Sequence, residues 1–324
     1  MVLRFKSEIL TLRIRISRCS WRVGIMYKAH KFTPNYSQVN PYPKYKDMIA
    51  YTDSVLLPLG FIKEEIGLSQ DGGFMLYGYR NDNGNSSKPT FWLDGNMHGS
   101  EWWTCYYCLD FLESVWGNKY HDKRISKVIR DNFNMYYIPS MNPWGYENVK
   151  YYQSRGVNLN RNFDNGNWET YPGNAQWEGN NYKGESPNSE LETQHIISKF
   201  GEIKPYIAIN CHTTTGEKNG IDMNRRFKKY HLLSKDIQQS FVLTVPEAGM
   251  LEWNGQYSPS AQGWYGLQTS KENTDVIASI LEHQSDVDNF NAGLTFLFII
   301  ALTTINYKNN GYLKLHNPYN LIKN

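Results

Sequence analysis

The chain has little cysteine and no excess of either charge. Its 324 residues include only four cysteines, and the formal net charge is +3. Four cysteines are too few for a disulfide scaffold, and so small a charge argues against binding to nucleic acid through electrostatic attraction. The sequence also has no basic stripe with interleaved aromatic residues, no GxGxxG or Walker loop, and no internal repeat. We therefore expect no nucleic-acid partner.

Two of the cysteines, Cys105 and Cys108, form a CxxC sequence. The pair lies inside a predicted helix and not at a helix N-terminus, where a redox-active pair gains its low pKa. No second CxxC is present that could complete a structural zinc site. We interpret these cysteines as packing residues.

The chain also has no apolar run long enough to span a membrane. The longest run near its end, Leu294 to Leu302, is about half of a span, and we interpret it as a buried helix. Residues 1–25 alternate apolar side chains with Arg or Lys and have no clear signal-peptide core. We interpret them as a basic extension, either disordered or an artefact of a start codon upstream of Met26, although an amphipathic membrane-surface segment stays open. The expectation is one catalytic domain over residues 26–324, no transmembrane span, and a cytoplasmic location by default.

The rest of the sequence alternates predicted strands with predicted helices, and its 40% hydrophobic content allows a sizeable core. Ser189 and Glu192 fit a capping box at the start of one helix. The alternation predicts an α/β fold with a mixed, mostly parallel central sheet flanked by helices. Sites in such sheets lie at the carboxyl ends of strands. The predicted strands are Phe74–Arg80, Thr90–Asp94, Asn134–Ile138, Tyr206–Cys211 and Val276–Leu281, and the predicted helices are Trp102–Trp116, Ser189–Phe200 and Arg225–Gln239.

Three side chains at predicted strand ends point to a metal site. His98 and Glu101 form a His-x-x-Glu sequence between an apolar strand and a helix, so one divalent ion can bind an imidazole and a carboxylate of the same turn. Such a pair alone is more often a helix-surface pair. His212 adds a second imidazole at the end of another strand. Two histidines and a glutamate are the ligands of a catalytic zinc that keeps a fourth position open for water.

Glu282 closes the apolar segment VIASILE. A carboxylate at the end of a buried strand is costly unless it has a partner or a role. Two interpretations are open, an ion pair with an Arg or Lys and a general base beside the metal.

The blocks around these residues resemble the zinc metallocarboxypeptidases, the carboxypeptidase A-like peptidases. The family pattern is His-x-x-Glu, then Asn-Pro-Asp-Gly, then Gly-Val-Asp-Leu-Asn-Arg-Asn-Phe, then a strand with His and a strand with Glu. The resemblance covers about residues 45–307 and implies an α/β/α sandwich with one Zn²⁺ per chain, bound by His98, Glu101 and His212. The corresponding blocks here are His98–Glu101, Asn142–Gly145, Gly156–Phe163, His212 and Ile280–Glu282.

The resemblance also implies roles in the reaction. Glu282 matches the general base that takes a proton from the attacking water and passes it to the leaving nitrogen. Asn160 and Arg161 match the positions that hold the terminal carboxylate of a substrate, a group that the planar guanidinium fork of Arg grips well. Tyr257 and Tyr265 are candidates for a tyrosine that covers the substrate, and we favour Tyr265.

Two positions depart from the family pattern. Asn158 stands where the family has an Asp that accepts a hydrogen bond from the first zinc histidine; its amide oxygen can accept, but it carries no charge. Tyr151 stands where the family usually has an Arg that stabilises the oxyanion. Lys150 and Arg155 flank it, so the donor is one of these cations or the phenol. We take Tyr151 and Arg155 as the candidate catalytic donors.

The sequence thus predicts a zinc-dependent peptidase that acts on a peptide or peptide-like substrate and releases a C-terminal residue. Other functions stay open: a hydrolase of peptidoglycan stem peptides, a deacylase of small N-acyl amino acids, and a weakly active or non-catalytic pocket protein. The two departures favour the last, whereas the intact set of ligands and Glu282 favours catalysis. Nothing in the sequence indicates an oligomeric state.

Overall fold

The structure is a computed structural model that describes residues 44–82, 87–120, 122–173, 181–214, 219–223, 231–244, 248–250, 258–284 and 290–309. The basic segment 1–25 with Met26, and also Cys19 and Tyr257, lie outside the described residues.

One eight-stranded sheet runs through the described part of the chain, in the order β1-β2-β4-β3-β5-β8-β6-β7. The neighbours β4–β3, β3–β5, β5–β8 and β6–β7 are parallel, and the remaining three pairs are antiparallel. This is the mixed, mostly parallel sheet that the alternation of elements predicts. The strands are β1 (Ile62–Leu68), β2 (Met75–Arg80), β3 (Thr90–Asp94), β4 (Asn134–Ile138), β5 (Ile207–Thr214), β6 (Asn219–Met223), β7 (Ala248–Met250) and β8 (Ile277–Gln284).

Helices cover both faces of the sheet. Phe91 and Leu93 of β3 belong to one buried cluster and Trp92 to the other, as the alternating side-chain direction of a strand requires. The two clusters make this an α/β/α sandwich with two cores. The helices are α1 (Tyr45–Leu56), α2 (Trp103–Trp116), α3 (Lys123–Asn132), α4 (Pro143–Asn148), α5 (Leu191–Ile203), α6 (His231–Thr244), α7 (Ala261–Tyr265) and α8 (Phe290–Asn309), and single 3₁₀ turns span Leu57–Leu59 and Leu159–Arg161.

Most predicted elements occur where the sequence places them. The strands Thr90–Asp94 and Asn134–Ile138 coincide with β3 and β4, and the apolar run Leu294–Leu302 lies inside α8. Where the prediction begins a helix at Arg225, the structure describes one only from His231, since residues 224–230 are outside the described part. None of the described helices combines the length and the apolar character that crossing a membrane requires.

The predicted capping box between Ser189 and Glu192 does not form. Helix α5 begins at Leu191, and Glu190 precedes it without a side-chain cap. The Ser189 hydroxyl donates instead to the Glu190 carboxylate at 2.6 Å. Glu192 accepts from the backbone N–H of Gln70 at 2.9 Å. A long-range contact with the β1–β2 turn thus replaces the local cap.

Three cysteines are free and buried, Cys105, Cys108 and Cys211. Cys108 on α2 and Cys211 on β5 bring their sulfur atoms to 3.5 Å. These contacts join a helix to the sheet, in agreement with the interpretation as packing residues.

Candidate active site

The three predicted metal ligands meet at the carboxyl-terminal edge of the sheet. His98 and Glu101 lie in the turn between β3 and α2, and His212 lies near the end of β5. One ligand atom from each side chain falls within 4.8 Å of the other two. The side chains of His98 and His212 are 5% and 0% exposed. The sequence therefore places these three residues correctly with respect to one another.

The Glu101 carboxylate lies between the two rings. Its Oε1 is 2.8 Å from Nδ1 of His98, and its Oε2 is 3.0 Å from Nδ1 of His212. The two Nδ1 atoms are 3.1 Å apart. The backbone N–H of Thr213 donates to Oε2 at 3.1 Å. Burial raises the pKa of Glu101, but the charges and hydrogen bonds of the histidines outweigh it and lower that pKa to about 2.

The outer nitrogen of each ring faces an amide oxygen. Nε2 of His98 lies 3.1 Å from Oδ1 of Asn158, and that oxygen also accepts the backbone N–H of Asn160 at 2.8 Å. A backbone N–H can only donate, so the Asn158 oxygen is fixed as an acceptor and Nε2 of His98 carries the proton. Nε2 of His212 lies 2.5 Å from Oδ1 of Asn210.

These contacts test whether a zinc ion fits. With both protons on Nε2, both Nδ1 lone pairs and the carboxylate of Glu101 point at one another. Such an arrangement is repulsive unless a proton or a cation lies among them. Two imidazole nitrogens and one carboxylate oxygen are ordinary zinc ligands. The residues fit one zinc ion.

Glu282 lies beside this cluster without belonging to it. It is paired with His212 across β5 and β8 and is 6% exposed. Burial raises its pKa to about 8; His212 and Arg161 lower it, and Glu101 raises it. Within the described chain no Arg or Lys lies at ion-pair distance from Glu282. The ion-pair interpretation of this residue is therefore not supported there.

Arg161 stands at the 3₁₀ turn next to the metal ligands. Its Nε donates to the Tyr171 hydroxyl at 3.0 Å, and its Nη1 donates to the Asn160 carbonyl at 2.7 Å. Among the described contacts Nη2 has no partner. The positive charge of Arg161 lowers the pKa values of His98 and Glu282.

Asn160 lies deeper than the sequence suggests. It is 4% exposed, and its Oδ1 accepts the backbone N–H of Ala261 at 3.0 Å. Its Nδ2 lies 3.4 Å from Nε2 of His212. The amide oxygen is thus engaged in the fold, and the substrate-binding role of Asn160 stays a prediction.

Tyr151 covers the first metal ligand. Its ring stacks on that of His98, with centroids 3.7 Å apart and planes 17° apart. Burial and the charge of Glu101 raise the pKa of Tyr151 well above its usual range, while Arg161 and a hydrogen bond with Asn158 lower it. The phenol therefore keeps its proton at neutral pH and can donate it in a hydrogen bond.

Arg155 does not lie at the site as predicted. Its guanidinium forms an ion pair with Glu185 at 3.1 Å and lies 4.0 Å from the fully buried carboxylate of Glu190. The side chain is 37% exposed. Its charged partners are thus these two glutamates, and no described contact joins it to the metal ligands. Lys150, its neighbour in the prediction, is exposed after the end of α4.

Tyr265 is also placed differently from the prediction. It lies in α7 and is fully buried, its ring stacks on Phe200, and its hydroxyl donates to Asp94 at 2.8 Å. A tyrosine fixed in the core cannot fold over a substrate, so this role is corrected. Its position in the sequence, before the last strand, did not reveal that its side chain packs in the buried cluster with Phe200 and Trp92.

The structure adds two residues that sequence reasoning missed, Asn210 and Asp94. Asn210 precedes His212 by two positions on β5, so both side chains lie on the same face of the strand. Asp94 on β3 is its register partner. The sequence could have indicated Asn210, because it lies two positions before the candidate ligand His212 on the same strand.

A backbone contact holds the turn of His98 in place. A Cβ atom on Gly99 would lie 2.0 Å from the backbone carbon of Gly145. The side chain of Asn142 accepts the Gly145 N–H at 2.9 Å and donates to the Met97 carbonyl at 3.2 Å. The block Asn142–Gly145 therefore clamps the ligand turn against the start of α4.

Comparisons with known proteins agree with this geometry. The family model of the zinc carboxypeptidases, peptidase family M14, matches residues 65–217. Mast cell carboxypeptidase A from Homo sapiens is 26% identical over 192 residues, which are 53% of this chain and 45% of that protein. Carboxypeptidase B from Astacus astacus is 25% identical over 196 residues, 53% of this chain and 62% of that protein. The match thus spans about half of the length of these curated relatives.

Solved structures share the fold. The structure of bovine thrombin-activatable fibrinolysis inhibitor with tick carboxypeptidase inhibitor has a TM-score of 0.64 at 18% identity, covering 82% of this chain and 97% of that one. Carboxypeptidase A from Helicoverpa armigera has a TM-score of 0.64 at 17% identity, covering 92% and 80%. The chain is thus similar to the zinc carboxypeptidase family over residues 65–217, a stretch that includes His98, Glu101 and His212.

Proposed function

We propose that this protein is a zinc-dependent carboxypeptidase that releases the C-terminal residue of a peptide. The observation that carries the proposal is the position of Glu282, a buried carboxylate without an ion-pair partner in the described chain, opposite His212 at the edge of the metal cluster. A structural carboxylate would be paired at such a place, whereas a general base must be free to exchange a proton.

His98, Glu101 and His212 hold the zinc, which when bound polarises the scissile carbonyl and makes water a better nucleophile. Glu282 takes the proton of the attacking water and delivers it to the leaving nitrogen. Burial raises the pKa of Glu282 because it disfavours the charged carboxylate, and the charge of a bound zinc would lower that pKa again. A base with a pKa near the working pH is the most efficient in proton transfer.

Arg161 binds the C-terminal carboxylate of the substrate. Tyr171 and the Asn160 carbonyl hold the guanidinium through Nε and Nη1. Nη2 and the second hydrogen of Nη1 remain for a carboxylate, which two parallel hydrogen bonds can grip from that end. The protein contacts thus orient the fork before the substrate arrives.

Tyr151 supplies a hydrogen bond to the developing oxyanion. The resemblance to the family predicts an Arg at this position, and Arg155 is held elsewhere by Glu185 and Glu190. The ring of Tyr151 stacks on His98, which brings its phenol to the turn that carries the first metal ligand. A neutral phenol stabilises an oxyanion less than a guanidinium does, so turnover below that of an Arg-containing enzyme is expected.

The decisive experiment is hydrolysis of one short peptide in two forms, with a free and with an amidated C-terminus, by the zinc-loaded protein. A carboxypeptidase cleaves the free acid and leaves the amide, since Arg161 in the part-buried site would be left without a carboxylate partner. Equal cleavage of both forms contradicts the proposal. An N-acyl amino acid and a peptidoglycan stem peptide in the same panel detect a deacylase or a stem-peptide hydrolase. A zinc-loaded protein that turns over none of these substrates is a non-catalytic pocket protein.

A further inference from the structure

A chain of buried hydrogen bonds leads from His212 into the core. Asn210 lies between His212 and Asp94, with its Oδ1 2.5 Å from Nε2 of His212 and its Nδ2 2.5 Å from Oδ1 of Asp94. The other oxygen of Asp94 accepts from the indole nitrogen of Trp92 at 2.6 Å and from the hydroxyl of Tyr265 at 2.8 Å. All five side chains belong to residues with 0% exposure.

The hydrogen bond between Trp92 and Asp94 determines which groups donate and which accept along this series. The indole N–H of Trp92 can only donate, so Asp94 must accept there. The Asn210 amide then turns its NH₂ group to Asp94, which leaves its oxygen for His212. An oxygen facing Nε2 at 2.5 Å requires the proton on that nitrogen. In the neutral ring that binds a metal, Nδ1 of His212 then carries the lone pair, which points at Glu101 and His98.

Asn160 offers no competing arrangement. Its oxygen is taken by the backbone N–H of Ala261, so its NH₂ group faces Nε2 of His212. That distance is 3.4 Å, against 2.5 Å for the oxygen of Asn210. A protonated Nε2 agrees with both distances. It donates to the Asn210 oxygen at 2.5 Å, and it cannot accept from the Asn160 NH₂ group, which stays at 3.4 Å.

The two metal histidines differ in what lies behind them. His98 is backed by Asn158, whose oxygen is shared with a backbone N–H. His212 contacts the amide of Asn210, which in turn donates a hydrogen bond to the carboxylate of Asp94. Burial raises the pKa of Asp94 and the three donors lower it, and the net result is a pKa of about 6. Asp94 is therefore mostly ionised at neutral pH.

We propose that Asn210, held by Asp94, is a positioning residue for the metal centre: it fixes His212 as the tautomer that presents Nδ1 to zinc and carries a buried negative charge to this ligand. The inference rests on the proposed zinc site. Partners of this kind orient a ligating imidazole and raise its basicity, and their loss typically lowers metal affinity about 10–100-fold. Asn158 gives His98 no charged partner, whereas Asp94 supplies a negative charge to His212 through Asn210.

The test measures zinc affinity, by competition with a chelator, in the full-length protein and in three variants. Asn210→Ala removes the acceptor and is expected to weaken zinc binding about 10–100-fold. Asn210→Asp keeps an oxygen for His212, but its second oxygen faces Asp94, so the two carboxyl groups must share one proton and the affinity should be recovered only in part. Ser279→Ala is the matched control, because Ser279 is equally buried on the adjacent strand β8 and donates to the Asp222 carbonyl instead. Its zinc affinity should equal that of the wild type.

Two further measurements separate positioning from loss of folding. Circular dichroism of each metal-free variant reports the folded fraction, and nitrogen-15 NMR of the histidine side chains reports the tautomer of His212. We expect the Nε2–H form in the wild type and in Asn210→Asp, and a mixture of tautomers in folded Asn210→Ala. Wild-type affinity in Asn210→Ala, or an equal loss in Ser279→Ala, overturns the inference and leaves the proposed function intact. A wild type that binds no zinc overturns both.

Discussion

His212 and Glu282 occupy paired positions on the parallel strands β5 and β8. Neighbouring strands lie about 4.8 Å apart, so the two side chains lie next to each other at the same edge of the sheet. Glu282 is nevertheless outside the group of His98, Glu101 and His212 whose ligand atoms converge. In the proposed mechanism, the residues that hold the metal are therefore distinct from the residue that transfers the proton.

Glu282→Gln should therefore lower kcat by at least about 10²-fold, the usual contribution of a general base, while zinc content and fold stay unchanged. Steady-state kinetics and elemental analysis check this. Glu272→Gln, at an exposed position, is the control and should behave as the wild type. Retained activity in Glu282→Gln would show that another group activates the water.

The purified protein should contain about one equivalent of zinc, lost in His98→Ala, because two remaining ligands hold zinc weakly. Elemental analysis after dialysis measures the ratio. His195→Ala is a suitable control, since His195 contacts the Leu68 carbonyl and lies outside the metal cluster. A wild type that stays metal-free at neutral pH in excess zinc is the contrary result.

Arg161→Ala should lower kcat/KM for a free-acid peptide and change cleavage of the amidated peptide little. The guanidinium binds the substrate carboxylate, which the amidated peptide lacks, and Arg161→Lys should restore activity only in part because an ammonium lacks the planar fork. Arg124→Ala, a surface residue paired with Asp122, controls for loss of positive charge. Equal losses on both peptides would assign Arg161 a structural role.

Tyr151→Phe should lower kcat by about 10²-fold with little change in KM, as expected for an oxyanion donor. The phenylalanine ring can still stack on His98, so zinc content should not change. If the loss appears in KM instead, the hydroxyl contributes to binding of the substrate and not to the transition state.

Glu192 should make the folded state less stable as the pH rises. Burial, with the charges of Glu190 and Asp71, raises its pKa to about 7 from 4.5, although hydrogen bonds from the Gln70 and Glu192 backbone lower it. Its Oε2 has no hydrogen-bond partner among the residues that the structure describes. A carboxyl with a raised folded-state pKa binds its proton more tightly when folded, so its stabilisation is complete below about pH 4.5 and lost as the pH rises through about 7.

The loss amounts to roughly 3 kcal/mol. Glu192→Gln should remove this part of the pH dependence, measured as the free energy of unfolding in urea at pH 5 and pH 8. Glu65→Gln, at an exposed position of β1, should leave the difference between the two pH values as in the wild type. The prediction is wrong if Glu192→Gln retains the full difference.

The sequence could predict what depends on residue type and local spacing. β3 and β4 are five-residue runs buried on both faces, so their bounds follow from apolar residues between turns. The ligands were readable because His98 and Glu101 share one turn and His212 ends a strand. Contacts between distant parts of the chain were not readable, as for Asn210 and Asp94, which are 116 positions apart.

The wrong assignments have the same cause. Arg155 flanks Tyr151 in sequence, but two glutamates from another segment decide where its charge points. Tyr265 lies before the last strand as a covering residue should, yet Asp94 and the ring of Phe200 hold it in the core. In each case a tertiary partner, unknown from local sequence, determined the direction of the side chain.

The backbone contact between Gly99 and Gly145 limits which sequences this site can accept. No side chain fits between the two glycines, and a Cβ on Gly145 would itself lie 2.4 Å from the Asn142 amide. Random replacement of either residue should therefore return only glycine among zinc-binding clones, even though neither residue touches the metal. Redesign of substrate preference should therefore leave both glycines in place, because a side chain at either position would displace the turn that carries His98.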